Sequence, residues 1–140
     1  EGLVLKLMAN HFGGALPLPL TGNSPQPTVP GTPWVDTPKS PIGSPTYPLD
    51  VLAALSGDRK RLILSVVNPT ETSQSFAPRL AGVKLRGPGR LWQIAPPGLA
   101  SANVAGQKPA VEIVETAQTA LAETVQVPPV SISVYEFEVA

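Results

Sequence analysis

The stretch 49–70, LDVLAALSGDRKRLILSVVNPT, decides the fold of this 140-residue chain. Two apolar runs, 49–55 and 61–68, flank the segment SGDRK, whose Gly-Asp pair suits a tight hairpin turn. We therefore predict two antiparallel strands whose core-facing side chains lie opposite each other. These side chains are Val51, Ala53 and Leu55 on the first strand and Leu62, Leu64 and Val66 on the second.

Short apolar runs continue to the end of the sequence, at 74–81, 90–95, 111–115 and 131–139. The segments RGPG, APPG and VPPV punctuate them and are typical of turns. About seven strands with no helical pattern between them predict a mainly β chain that forms an antiparallel β-sandwich.

The last predicted strand changes its apolar face. Ile132 and Val134 lie on one face, whereas Tyr135, Phe137 and Val139 lie on the other. Either a bulge or burial on both sides of the strand explains this switch.

The chain begins with a helical pattern that ends at Gly13-Gly14. The predicted helix, residues 1–12, is apolar on almost every side. We therefore expect Leu3, Leu7 and Met8 to pack against a separate body and not against the sandwich of this chain.

A proline-rich segment, residues 15–48, follows the helix and contains ten of the 18 prolines. Leucines alternate with prolines over 16–20, and because proline cannot donate to a sheet ladder, this part predicts an edge strand or an extended strap. The remainder favours an extended, polyproline-like path, with Trp34 among its apolar anchors.

Composition excludes several classes of function. Ten basic and ten acidic residues give zero net charge without a basic patch, which argues against nucleic acid as a partner. The absence of cysteine excludes disulfides and thiolate chemistry, and it leaves both a cytoplasmic and a secreted location open. No apolar run reaches the roughly 18 residues of a membrane span. The first residues lack an initiator Met and a leader, so we expect a piece of a longer protein.

Few residues suggest chemistry. His11 is the sole histidine, and we interpret it as a packed or capping residue; a histidine metal site or a catalytic triad would have to include it. Glu136 and Glu138 alternate with aromatic residues, which is typical of a solvated strand face. Glu112 and Glu115 are interpreted as the charged edge of a strand. We predict no metal site and no cofactor.

The two tryptophans are the candidates for carbohydrate binding, because sugars present apolar C–H faces that pack on aromatic rings. Trp92 lies in a predicted strand and is interpreted as a core residue. Trp34, in the proline-rich segment, is the better candidate for a substrate-binding residue, although anchoring of that segment is the competing interpretation.

The succession of a short helix, NHFG, an LP strand, the hairpin and PPVSISVYEF resembles the C-terminal end of glycoside hydrolase family 51, the α-L-arabinofuranosidases. Its marks are the hairpin end at Val67-Asn68, the segment GLASANV around Asn103, and the run PPVS at 128–131. The resemblance implies a jelly-roll β-sandwich that follows a (β/α)8 barrel. Residues 1–14 would then be the last barrel helix, 15–48 the linking strand and strap, and 49–140 the sandwich.

The resemblance also implies a function. The complete enzyme would be a retaining glycosidase that releases terminal α-L-arabinofuranosyl groups from arabinan or arabinoxylan oligosaccharides. Its two catalytic carboxylates would lie in the barrel, about 5 to 5.5 Å apart, so that no residue of this chain is catalytic. The barrel, preceding this chain covalently or as a separate chain, and the sugar are the implied partners, and a homo-oligomer is also compatible.

Three alternatives stay open from the sequence. The resemblance also permits endoglucanase or xylosidase specificity in the complete enzyme. The chain could instead be a stand-alone carbohydrate-binding module that uses Trp34 or Trp92, or a purely structural sandwich.

Overall fold

The computed structural model describes residues 2–24, 28–29, 40–41 and 44–140. Trp34 lies outside these residues, as does much of the proline-rich segment. The described ranges contain the following helix and strands: α1 Gly2–Phe12, β1 Leu16–Pro17, β2 Thr28–Val29, β3 Ser40–Pro41, β4 Asp50–Leu55, β5 Arg61–Asn68, β6 Gln74–Phe76, β7 Leu85–Ile94, β8 Val114–Gln118, β9 Val125–Val127 and β10 Ser131–Val139.

The main sheet is antiparallel, with six strands in the order β1-β4-β5-β10-β7-β8. Strands β6 and β9 form a two-stranded antiparallel sheet, and side chains of both pack with those of the main sheet in one apolar cluster. Strands β2 and β3 form another antiparallel pair. This architecture confirms a mainly β, antiparallel fold of the sandwich class, and β1 lies at a sheet edge, as the prolines over 16–20 predict.

The hairpin has the predicted register. Val51 pairs with Val66, Ala53 with Leu64 and Leu55 with Leu62. The three β5 members of these pairs are buried. Leu64 and Val66 join the cluster that also includes Val127 and Phe137.

The predicted Gly-Asp pair, Gly57 and Asp58, occupies the centre of the hairpin turn, which Ser56 and Arg59 close. The residue with positive φ is Arg59, at 59°, and its N–H donates to the Ser56 carbonyl at 2.7 Å. The Asp58 carboxylate accepts from the Ser56 hydroxyl at 2.5 Å and from the Lys60 N–H at 3.1 Å. These side-chain and backbone bonds lower the pKa of Asp58, because they stabilise its charged form.

Strand β10 is covered on both faces. Of the two explanations for its change of apolar face, a bulge or burial on both sides, the structure shows the second. Tyr135 and Phe137 pack in the cluster shared with β6 and β9, where burial raises the pKa of Tyr135. Val134 lies on the opposite face with Leu7 of α1 and Ile94 of β7. A central strand with a layer on each side needs apolar residues on both faces, and this explains the switch.

The neighbouring strand β7 contains a bulge opposite β10, and one prediction is wrong because of it. Phe137 pairs with Gly89 and the next residue, Glu138, pairs with Arg86, so that Gly87 and Pro88 are extra residues in β7. The segment RGPG is therefore not a turn between strands but a bulge inside one strand. A Cβ at Gly89 would collide with the Phe137 ring and the Glu136 carbonyl, so this position requires glycine.

Helix α1 packs on the sheet of its own chain, and the expectation of a separate body for Leu3, Leu7 and Met8 is wrong in this respect. Leu7 is 1% exposed and lies in the cluster with Ile63, Ile94 and Val134, and Leu3 and Met8 pack around it. Leu5, on another side of the helix, is 70% exposed. Within the described ranges, no helix is long and apolar enough to cross a bilayer.

Two asparagines hold chain segments together through side-chain to backbone hydrogen bonds, one over a long and one over a short sequence distance. The buried Asn68 amide donates to the carbonyls of Val127 and Pro128, at 3.3 and 2.8 Å, which ties the end of the hairpin to β9. Asn103 exchanges two hydrogen bonds of 2.8 Å with the backbone of Val111. The asparagines that mark the resemblance therefore have structural roles.

Candidate functional site

A polar groove lies on the α1 side of the main sheet, where the helix ends. Its volume is about 450 Å³. The helix covers apolar side chains of β5, β7 and β10, and beyond its last turn the same strand faces carry charged side chains. The residues that define the polar groove below are His11, Arg61, Arg90, Trp92, Glu115 and Glu136.

Glu136 forms the floor of the polar groove, and the prediction of a solvated position is wrong for it. It is 8% exposed, with Oε1 2.7 Å from His11 Nδ1 and Oε2 accepting from Arg61 at 2.8 Å. The reason is that β10 is central and the end of α1 lies over this position. Glu138, two residues further along the same face, is exposed as predicted.

The two partners of Glu136 offset the cost of burying its charge. Unpaired buried carboxylates are strongly destabilising, whereas paired and hydrogen-bonded ones are tolerated. An ionised carboxylate only accepts hydrogen bonds, so His11 Nδ1 is the donor in this contact. The Arg61 side chain is 52% exposed and can keep part of its hydration.

His11 and Trp92 form an aromatic pair beside the carboxylate. Their ring centroids are 4.2 Å apart and the ring planes are tilted by 44°. This confirms the interpretation of His11 as a packed residue. Trp92 is half-buried, packs at the border of the apolar cluster and also lines the groove, so its interpretation as a core residue describes only part of its surroundings.

Arg90 and Glu115 form the outer wall of the polar groove as an ion pair between β7 and the edge strand β8. Their side chains are 62% and 45% exposed. This agrees with Glu115 as a charged strand edge, while Glu112 lies outside β8 and is also exposed. Exposed pairs of this kind contribute little to stability.

The carboxylates of the polar groove named above are paired with basic side chains. Glu136 is the sole buried carboxylate in the described part of the chain, and Arg61 compensates its charge. Glu115 is held by Arg90 on the wall. The same part of the chain contains no group of three or more side chains suited to a metal ion.

Sequence reasoning missed the convergence of Arg61, Arg90 and Glu136. Arg61 and Glu136 are 75 residues apart, and nothing in either local pattern links them. The available signal was the face switch of the last strand, since Glu136 shares its face with Val134, which lies in the apolar cluster under α1. Trp34, the predicted substrate-binding residue, lies outside the described residues.

No family model and no curated protein matches the sequence. Solved structures do match. The glycoside hydrolase family 51 α-L-arabinofuranosidase of Thermotoga petrophila RKU-1 is 26% identical over 63% of this chain, with a TM-score of 0.56. An α-L-arabinofuranosidase of Thermotoga maritima, solved as an arabinose complex, matches 97% of the chain at 20% identity and a TM-score of 0.65. The family 51 enzyme of Xanthomonas axonopodis pv. citri matches 79% at 21% identity and a TM-score of 0.54.

This chain spans only 18%, 28% and 21% of the lengths of those three proteins, respectively. The fold defines a β-sandwich domain of the kind found in glycoside hydrolases. More particularly, the chain has the fold of the C-terminal region of the family 51 α-L-arabinofuranosidases.

Proposed function

We propose that this chain is the C-terminal part of a retaining glycosidase that releases terminal α-L-arabinofuranosyl groups from arabinan and arabinoxylan oligosaccharides. The observation that carries the proposal is the match to the Thermotoga petrophila family 51 enzyme, at 26% identity over 63% of this chain. Because this chain spans 18% of that enzyme, most of the complete protein would lie outside it.

In this proposal the chain is the non-catalytic sandwich and supports a (β/α)8 barrel. Residues 49–140 form the jelly-roll domain, 15–48 link it to the barrel, and 1–14 contribute the last barrel helix. Two sides of α1 support this division, because Leu7 is buried on the sheet while Leu5 is 70% exposed and is available to the barrel. The barrel precedes the chain covalently or is a separate chain.

The carboxylates of this chain support a non-catalytic role. Retaining hydrolysis needs two carboxyl groups about 5 to 5.5 Å apart across the scissile bond. Glu136 is engaged on both oxygens by His11 and Arg61, and Glu115 is engaged by Arg90. The acid/base and the nucleophile would therefore come from the barrel.

The test compares the 140-residue chain with the complete polypeptide on an aryl α-L-arabinofuranoside. We expect no turnover by the chain alone, and hydrolysis by the complete enzyme with retention of anomeric configuration in the first product seen by NMR. Turnover by the chain alone would contradict the division of labour. Inversion, or activity confined to xylosides or glucans, would contradict the proposed reaction or substrate.

A further inference from the structure

We propose that the polar groove is a binding site for a neutral saccharide, in which Trp92 supplies the apolar surface and Arg90 and Glu115 supply hydrogen bonds. This inference goes beyond the proposed function, because it concerns recognition of sugar by this chain whether or not a barrel is attached.

The first support is the shape of the groove. Its volume of about 450 Å³ lies within the range of small-ligand sites, about 300 to 1,000 Å³. Helix α1 and four neighbouring strands of the main sheet, β5, β10, β7 and β8, contribute to its lining. Because these are regular elements of one body, the groove is preformed and does not depend on a loop closing over it.

The second support is the setting of Trp92. One part of the ring surface packs against the apolar cluster. The ring also packs against His11, with the two ring centroids 4.2 Å apart. His11 is fixed in turn by its contact with Glu136. An aromatic ring held in this way loses little conformational freedom on binding, and its exposed part can pack against the C–H face of a sugar ring.

The third support is the pairing of charges. Arg61 lies against Glu136, and Arg90 lies against Glu115. Each guanidinium has five N–H donors and each carboxylate has two acceptor oxygens, so these pairs retain hydrogen-bonding capacity beyond the bonds between them. Adjacent sugar hydroxyls, which both donate and accept, match such an alternation of donors and acceptors.

The charge balance selects a neutral ligand over an anion. Two arginines face three carboxylates in the lining, counting Glu138 on the rim, and this gives a net charge of −1 with His11 neutral. Phosphate would meet no surplus of positive charge. A polyhydroxylated neutral ligand has no net charge to be repelled, and it can bond to both members of each pair.

Fluorescence provides a direct test, because Trp34 and Trp92 are the two tryptophans of the chain. The Trp34→Phe variant of the 140-residue chain has Trp92 as its sole tryptophan. It would be titrated with arabinotriose, xylotriose and cellotriose, and with inorganic phosphate as the ionic probe, while calorimetry measures the same titrations on the unaltered chain. We expect a saturable change in Trp92 emission with at least one trisaccharide and none with phosphate.

Two matched pairs of variants locate the site. Arg90→Ala and Glu115→Gln each remove a wall residue that is largely exposed, so folding should survive, and each should raise Kd by about tenfold or more. The controls Arg79→Ala and Glu123→Gln change exposed residues outside the groove lining and should leave Kd unchanged. Thermal unfolding of every variant checks that the fold is retained.

Several outcomes would contradict the proposal that the polar groove binds a saccharide. These are no saturable response to any of the three sugars, a response to phosphate, binding that persists at full strength in both wall variants, or binding abolished by Trp34→Phe alone. Hydrolysis by the complete enzyme tests the proposed function. Sugar binding by this chain tests the proposal that the polar groove binds a saccharide. Because the two measurements use different preparations and readouts, either inference can fail without the other.

Discussion

Glu136 Oε1 lies 2.7 Å from His11 Nδ1, and this contact joins the last strand to helix α1 across 125 residues of sequence. The second oxygen of the same carboxylate accepts from Arg61 at 2.8 Å. One buried side chain therefore connects the N-terminal helix, the hairpin and the C-terminal strand.

Replacing Glu136 by glutamine should lower the free energy of unfolding by about 1–3 kcal/mol, because the Arg61 and His11 contacts lose a charged acceptor in a buried setting. Urea denaturation measures this loss. Glu138→Gln, on the same face but exposed, is the matched control and should change stability by less than about 0.5 kcal/mol. If both variants changed the free energy of unfolding by the same small amount, Glu136 would be a solvated residue, as the sequence predicted.

Helix α1 offers a second matched pair of variants. Leu7→Ala should cost about 2 to 5 kcal/mol in the 140-residue chain, since Leu7 is 1% exposed in the cluster under the helix. Leu5→Ala should cost little, since Leu5 is 70% exposed. A cost for Leu5→Ala as large as that for Leu7→Ala would mean that the helix does not pack on this sheet through its Leu7 side.

The hairpin register predicts the outcome of a core truncation. Leu64 is 7% exposed and pairs with Ala53, so Leu64→Ala should destabilise the chain by about 2 to 5 kcal/mol in the same denaturation experiment. Leu52→Ala, on the neighbouring strand at a position 42% exposed, should have a much smaller effect. A loss below about 1 kcal/mol for Leu64→Ala would mean that Leu64 does not lie in the apolar cluster with Val66, Val127 and Phe137.

The hairpin turn should make stability depend on acid pH. The Ser56 hydroxyl, as the larger cause, and the Lys60 N–H lower the folded-state pKa of Asp58. A depressed pKa contributes stability above the unfolded pKa, about 3.9 for aspartate, and this contribution disappears as pH falls through the folded pKa. The difference in stability between the unaltered chain and Asp58→Asn should therefore shrink on acidification from pH 6.

Measurement of unfolding free energies from pH 6 to about 2 checks the Asp58 prediction. Ser56→Ala removes the larger of the two causes and should reduce the same pH dependence. A stability difference between the unaltered chain and Asp58→Asn that grows on acidification would contradict the assigned sign.

The sequence predicted best where long apolar runs meet turn residues. The bounds of β10 agree with the prediction over 131–139, and β4 and β5 agree to within one residue at each end. Strand β9 was missed because its three residues are too short for a period of two to show. Strand β6 ends at Phe76, short of the predicted 81, and β8 begins at Val114, three residues later than predicted.

Two errors have a common physical origin in tertiary structure. Glycine and proline mark both turns and bulges, so RGPG gave no local sign that β7 continues through it. Alternation of polar and apolar residues predicts which side chains share a face, but not what covers that face. The burial of Glu136 depends on where α1 ends over the sheet, which its own strand does not encode.

The bulge in β7 does not change which face of the sheet each side chain lies on, because it adds an even number of residues. Between Leu91, which pairs with Tyr135, and Leu85, which pairs with Val139, β7 uses six residue steps where β10 uses four. Because the surplus is an even number, Leu85 and Leu91 return to the same face and both pack on the cluster that contains Tyr135. Removing one of the two extra residues would turn Leu85 outward and Arg86 into the core, whereas removing both would leave every side chain on its present face.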